Sequence, residues 1–220
     1  MATETDLVRY VAGLVIQEAN RLGYNIGRTK EPGCVPVGIS ARHVHLQSDH
    51  LEILFGKGHA LTPIKDLSQP GQFAAAEMVS VIGPKGRINK VRILGPVRKK
   101  TQVEISASDA RLLGVAPVVR DSGDHNGTPG ITIEGPAGSV EIQSGVMLAD
   151  RHIHMSPAEA ESFGVQDGQR VRLKIPGRRG GILENVGIRV DQNYLLDLHI
   201  DTDEANAFLL KQGEMLEFVK

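Results

Sequence analysis

The chain has no tryptophan, three tyrosines, five phenylalanines and one cysteine among its 220 residues. The single cysteine, Cys34, excludes an internal disulfide and suits a reducing interior. It sits in a Pro/Gly-rich stretch with no base nearby, so it reads as inert rather than as a nucleophile. Charge imbalance is also missing. A formal net charge of −1 gives no global reason to expect nucleic acid or an anionic membrane as partner. No apolar run approaches the roughly 20 residues that span a bilayer, and no secretory signal is visible. What the chain has instead is 25 glycines, 11 prolines and eight histidines, with 40% apolar and 23% charged residues. That is a soluble globular composition, large enough for one big domain or two small ones, and it favours short strands joined by tight turns.

The histidines carry the strongest pattern. Arg42-His43-Val44-His45-Leu46 returns later as Arg151-His152-Ile153-His154-Met155. In a strand the two histidines of each block share one face, while Val44 and Leu46, or Ile153 and Met155, point into a core. Two imidazoles side by side on a rigid strand make half of a metal site. A lone H-x-H is usually an ordinary surface or core pair. Two in matching frames are not, because structure alone requires no such recurrence.

Residues 5–22 read as an amphipathic helix with Leu7, Val11, Leu14, Val15 and Leu22 on one stripe and Gly23 as its stop. Asn25 to Pro36 reads as a linker. The remainder is strand-rich, with runs at Met78–Ile82, Lys90–Leu94, Thr101–Ile105, Ile131–Glu134, Val140–Ile142, Val171–Ile175, Gly187–Val190 and Leu195–Ile200, separated by Gly-Pro, Pro-Gly and Asp-Gly pairs. Ser156-Pro157-Ala158-Glu159 is a capping box closed by Gly164, and Ser106 to Gly114 repeats that span. The expected fold is therefore mainly β, built from small barrels capped by short helices.

Glu104, His154 and His199 each lie two residues before a capping Ser106, Ser156 or Asp201; His45, followed by Gln47 and then Ser48, is the loose case. The same unit thus occurs about four times, a strand whose last outward polar residue meets a helix N-terminus that favours anions. The set divides into His43, His45 and Glu104, and His152, His154 and His199. N/O ligands without cysteines point to metal catalysis rather than a closed structural site. Arg98, in the Arg-Lys-Lys run at 98–100, reads either as solvated surface or as an anion clamp. Arg42 and Arg151 serve similarly or brace the strands, and Lys85 and Arg92 add charge on the neighbouring hairpin. His50, His59 and His125 read as solvent residues, and the turn-rich stretch at 123–130 as a plain loop.

Several strings together resemble the phosphate propanoyltransferase (PduL-type phosphotransacylase) family: Ser-x-Arg-His-x-His-Leu at 40–46, Gln69-Pro70-Gly71-Gln72-Phe73-Ala74-Ala75, Leu94-Gly95-Pro96-x-Arg98, Gln102-Val103-Glu104-Ile105-Ser106, Gly127-Thr128-Pro129-Gly130, Arg151 to Pro157, and His199 to Asn206. The resemblance covers roughly Val37 to Asn206. It implies two β-barrels, one formed by 36–41 with 150–220 and one by 42–149, preceded by the helix and linker of 1–35. It implies a two-zinc site between them, with His43, His45 and Glu104 on one ion and His152, His154 and His199 on the other. It also implies Arg98 as the catalytic, phosphate-binding arginine and coenzyme A contacts at Lys85, Arg92 and Asn206. The implied reaction exchanges the CoA of a short-chain acyl-CoA, propanoyl or acetyl, for phosphate. The expected setting is the bacterial cytoplasm, either free or inside a microcompartment of the propanediol-degrading kind; residues 5–22 suit contact with shell or core proteins and, equally, packing on the chain's own barrel or on a partner subunit. A homo-oligomer is expected, with no nucleic acid and no membrane.

Two other readings compete. A bicupin-like metal oxygenase or hydrolase also uses His-x-His, but places its Glu within a few residues, where this chain has Ser48 and Asp49. A non-enzymatic barrel module shares the capped helix and Gly-Val-x-Asp-Gly at 164–168, yet has no use for six metal-type ligands.

Overall fold

The computed structural model describes residues 33–219, so the helix expected at 5–22, its partner contacts and most of the linker lie outside the described residues. The described part is mainly β, with fifteen strands and four short helices. Six strands close into a barrel in the order β1 (Cys34–Ser40), β14 (Asp197–Asp201), β11 (His152–Met155), β13 (Gly181–Val190), β12 (Arg170–Ile175) and β15 (Met215–Phe218). The other nine form a curled half-barrel sheet. Its order is β7 (Val119–Arg120), β10 (Val146–Ala149), β6 (Gln102–Glu104), β2 (His43–His45), β5 (Arg87–Gly95), β4 (Phe73–Ile82), β8 (Ile131–Glu134) and β9 (Ser139–Ile142), with β3 (Pro63–Asp66) beside β4.

Each sheet has its own apolar core. Val44, Leu46, Ile93, Val103 and Ile133 are fully buried in one, and Ile153, Met155, Leu173, Leu198 and Leu216 in the other. Strands β12 and β9 alternate exposed and buried residues, the period-two pattern of a sheet with one wet face. In β2 and β11 the alternation holds for the core-facing residues, but the histidines between them are buried too. Both faces of these two strands are therefore covered.

The strand at 34–40 is a departure from the linker expected to run through Pro36. Pro36 and Gly38 look like loop punctuation, yet Val35 and Val37 are wholly buried and draw the chain into the barrel. This strand precedes β2 in sequence but pairs in parallel with β14. Strand β10 does the reverse: it precedes β11 but pairs in parallel with β6 of the half-barrel. Each sheet thus takes the strand that leads into the other's His-x-His block, and the chain crosses between sheets at 41–42 and again at 150–151. Two exchanged strands bind the sheets together through their ladders as well as through side chains.

The helices bear out the capping pattern. α2 (Ala107–Leu113), α3 (Pro157–Phe163) and α4 (Thr202–Phe208) each begin with a two-way capping box: Ser106 with Asp109, Ser156 with Glu159, and Asp201 with Glu204. Gly114 and Gly164 close the first two in the left-handed conformation that favours glycine. α1 (Ser48–Phe55) has Gln47 at its N-cap and makes no side-chain capping bond. The loose unit in the sequence is the uncapped helix in the structure.

Candidate metal centre

The two His-x-His blocks sit in the same three-strand frame. β2 runs parallel to β5 and antiparallel to β6, which sets His43 opposite Glu104 and His45 opposite Gln102. β11 runs parallel to β13 and antiparallel to β14, which sets His152 opposite His199 and His154 opposite Asp197. Cross-strand partners share a face, so the polar members of each frame converge while Val44 with Val103, and Ile153 with Leu198, turn to the cores. The result is two tight groups, His43–His45–Glu104 and His152–His154–His199, each with its ligand-type atoms within 4.8 Å of one another. Glu104 of one group lines the same cavity of about 30 Å³ as His152 and His199 of the other, walled by both chain crossings.

Hydrogen bonds decide what these imidazoles offer. His43 Nδ1 is 2.9 Å from the Ala41 carbonyl and His45 Nδ1 is 3.1 Å from the Leu94 carbonyl. A carbonyl only accepts, so both Nδ1 atoms are the donors. The two Nε2 atoms face each other at 3.1 Å. Burial, with His43 and Arg98 adding to it, pushes His45 down to about 3. In the second group His152 Nδ1 donates to the Asp150 carbonyl at 2.7 Å, and its Nε2 lies 3.0 Å from His154 Nε2. Burial, then Arg189 and His199, lowers His152 to about 3; burial and the other two histidines, with Arg189, lower His154 to about 2. His154 Nδ1 and Asp197 Oδ1 are buried without a hydrogen-bond partner. Clustered imidazole nitrogens and a nearby carboxylate in each group form a donor set that fits a cation.

Glu104 completes the first group, with Oε2 3.4 Å from His43 Nε2. Burial opposes its ionisation, but His43, His45, the Ser122 hydroxyl and Arg98 outweigh that and hold it near 2. Ser122 Oγ donates to Glu104 at 2.8 Å and accepts from Arg98 Nη1 at 3.3 Å and from Gln102 Nε2 at 2.9 Å. Burial lowers the Arg98 guanidinium, with Glu104 and Tyr194 working against it. Tyr194 also stands edge-on to His154, with ring centroids 4.3 Å apart. Arg98 is thus brought to the centre, while its neighbours Lys99 and Lys100 are exposed.

The other predicted residues divide. Arg42 pairs with Asp109 at 2.7 Å and Arg151 with Glu204 at 2.8 Å, so both brace the frame. Arg92 lies in register beside His43 and donates to the Ala75 and Ala76 carbonyls. Lys85 is in the β4–β5 turn against Gly114, and Asn206 is exposed on α4. Among the described residues no hydrogen bond or ion pair joins Lys85, Arg92 and Asn206. His50, His59 and His125 are not solvent residues. All three are half-buried: His50 meets Thr101 at 2.8 Å, His59 meets Glu77 at 3.0 Å, and the His125 ring lies beside Gly145.

Asp197, Tyr194, Ser122 and Gln102 entered the site unpredicted. Two of them had a signal. Gln102-Val103-Glu104 and Asp197-Leu198-His199 repeat the polar-apolar-polar spacing of the histidine blocks. Ser122 and Tyr194 lie on loops, where spacing carries no such information.

Fold and site define a two-sheet β protein with two candidate metal clusters flanking a half-buried arginine. A family model described as Phosphate propanoyltransferase matches residues 36–211. A Phosphate propanoyltransferase of Thermotoga maritima is 55% identical over 192 residues, covering 87% of this chain and 91% of the relative. One of Rhodobacter capsulatus is 50% identical over 190 residues, covering 86% and 88%. One of Lachnoclostridium phytofermentans is 48% identical over 206 residues, covering 91% and 96%. The chain belongs to the phosphate propanoyltransferase family.

Proposed function

We propose that this chain is a phosphotransacylase that converts a short-chain acyl-CoA and phosphate into acyl phosphate and CoA, and the reverse, at a two-zinc site. The observation that carries the reading is the pair of imidazole clusters beside one cavity, with Arg98 next to them. His43, His45 and Glu104 would hold one zinc, and His152, His154 and His199 the other. Zinc in such a donor set supplies Lewis acidity, which favours an ionised thiol and a polarised carbonyl oxygen at neutral pH.

The chain's own groups do the positioning. Arg98, steadied by Ser122, binds phosphate and aims it at the thioester carbonyl. The uncapped start of α1 stands at the end of the His45 strand, where its amides suit the same anion. Glu104 stays ionised and balances cationic charge rather than carrying a proton. His45, His152 and His154 are held neutral, which suits ligands and not general acids. Phosphate is itself the nucleophile, so no acyl-enzyme is required. Cys34 is excluded from that part by place: it starts β1, while Ser40 at the other end lines the cavity, about 20 Å of strand away.

The acyl group is propanoyl or acetyl, the residues 36–41 with 150–220 and 42–149 are the two domains, and Lys85, Arg92 and Asn206 are the proposed CoA contacts. The reading is tested by elemental analysis together with acyl-CoA turnover with and without phosphate. About two zincs per chain and phosphate-dependent CoA release are expected. Zinc with phosphate-independent CoA release would instead indicate a hydrolase. Arg98→Ala should raise the KM for phosphate at least tenfold, in line with loss of a charge-assisted bond, with zinc retained; loss of zinc would refute its assignment.

A further inference from the structure

A second arginine faces this site from the other sheet. Arg189 on β13 lies in register with His154 on β11, so its side chain leaves the barrel on the histidine face. Its guanidinium donates to Asp121 Oδ1 at 2.8 Å, across from the closed barrel to the loop after β7. Asp121 is the neighbour of Ser122, and Ser122 is the residue that Arg98 touches. Two guanidinium groups, one from each sheet, are therefore held at consecutive residues of one loop, whose Cα atoms are about 3.8 Å apart.

The two ends of the ion pair differ. The Arg189 side chain is 21% exposed, whereas that of Asp121 is 64% exposed. A solvated carboxylate holding a sheltered guanidinium at an anion site is easily exchanged, because exposed ion pairs contribute little. A phosphoryl dianion offers more charge and the same fork geometry.

We propose that Arg98 and Arg189 form a two-arginine cradle for a phosphoryl group, in which the Asp121 carboxylate occupies the place of the phosphoryl oxygens until substrate displaces it. The proposal rests on the phosphotransacylase reading. Its chemistry fits inorganic or acyl phosphate and, equally, a phosphate of CoA.

The opposite effects of the two partners are the test. Initial rates are measured for wild type, Arg189→Ala, Arg189→Lys and Asp121→Asn, varying phosphate at fixed acyl-CoA and then acyl-CoA at fixed phosphate. Zinc content and melting temperature are followed in parallel. Arg189→Ala should raise the KM of one co-substrate roughly tenfold or more. Asp121→Asn should lower the same KM about two- to fivefold, since it removes the competitor and keeps the shape. Arg189→Lys should fall between, keeping charge without the fork. An effect confined to the phosphate arm identifies inorganic phosphate as the occupant; one confined to the acyl-CoA arm identifies a CoA phosphate. A plain strut between sheets would make both substitutions lower stability and move KM in the same direction or not at all, and that result overturns the cradle. Calorimetric titration of the zinc-loaded protein with inorganic phosphate and with CoA separates the two readings. If wild type shows no phosphate-dependent turnover, the function fails, while tighter binding in Asp121→Asn and weaker binding in Arg189→Ala still uphold the cradle.

Discussion

Gly38 offers a direct probe of the second cluster, because a side chain added there would meet Asp197 and none of the three histidines. It lies on β1 in register with His199, and a Cβ built on it would stand 2.7 and 2.9 Å from the two carboxylate oxygens of Asp197. Real Cβ atoms do not come so close, so either the carboxylate or the strand must shift. Asp197 has little room. It is 2% exposed, and its Oδ2 sits 3.2 Å from His199 Nε2. Overpacking of this kind costs about 1–3 kcal/mol, and at about 2–4 °C per kcal/mol for a chain of this size Gly38→Ala should melt about 2–12 °C lower. Displacing the carboxylate that orients His199 should weaken metal binding there by about 10- to 100-fold, with the His43 cluster unaffected. Metal titration of the two sites would read this as loss of one of two binding steps. Asp197→Ala opens the space that the new methyl needs, so the double variant should recover part of the Gly38→Ala loss, with a coupling of about 1–2 kcal/mol. A wild-type melting curve for Gly38→Ala, or strict additivity with Asp197→Ala, would refute the reasoning.

Other changes probe the joints of the fold. Gln69 is 3% exposed and clasps Leu195 twice, donating to its carbonyl at 2.9 Å and accepting from its amide at 3.2 Å; Gln69→Ala should cost about 1–3 kcal/mol in denaturant and speed hydrogen exchange at the Leu195 amide. Asp109 both caps α2 and pairs with Arg42, so Asp109→Ala should lose about 1–3 kcal/mol in thermal unfolding, whereas Asp109→Asn, which keeps an acceptor for the Ser106 amide, should lose less. Burial pushes the Glu77 carboxyl up, but hydrogen bonds from the Thr62 amide and hydroxyl and from His59 outweigh it and hold it below the usual range. A depressed carboxylate stabilises the fold above its unfolded value, near 4.3, and that contribution disappears as pH falls through the folded value. Glu77→Gln should therefore be less stable than wild type at neutral pH, and the gap measured by unfolding across pH should narrow in acid.

The motif at 69–75 shows how resemblance and physics meet. Gln69 fastens the half-barrel to the loop that carries Tyr194, and the Phe73 ring lies over Gly95, its partner across β4 and β5, leaving no room for a Cβ. Its aromatic and its amide are explained by contacts with Gly95 and Leu195, neither of which is near in sequence, and its Gly71 by a turn with φ of 76°.

What the sequence determined by itself is local, because periodicity and capping act over a few residues. His43 and His45, and His152 and His154, share a face because side chains alternate along a strand. Ser106, Ser156 and Asp201 start helices because a short polar side chain can satisfy an amide three residues on. Alternation with Val103, Ile105, Leu198 and Ile200 set Glu104 and His199 on the face away from the core, and left a solvent residue and a ligand equally open for both. The tertiary structure decided what depends on register between distant strands: the entry of 34–40 into the closed barrel through Val35 and Val37, the exchange of β1 and β10, and the meeting of Asp197 with His154. It also decided which cations do what. Arg42 and Arg151 could clamp an anion or brace a strand by sequence, and only Asp109 and Glu204, brought close by folding, made them braces. Arg189 had no local signal at all, since its place beside His154 exists only in the pairing of β11 with β13.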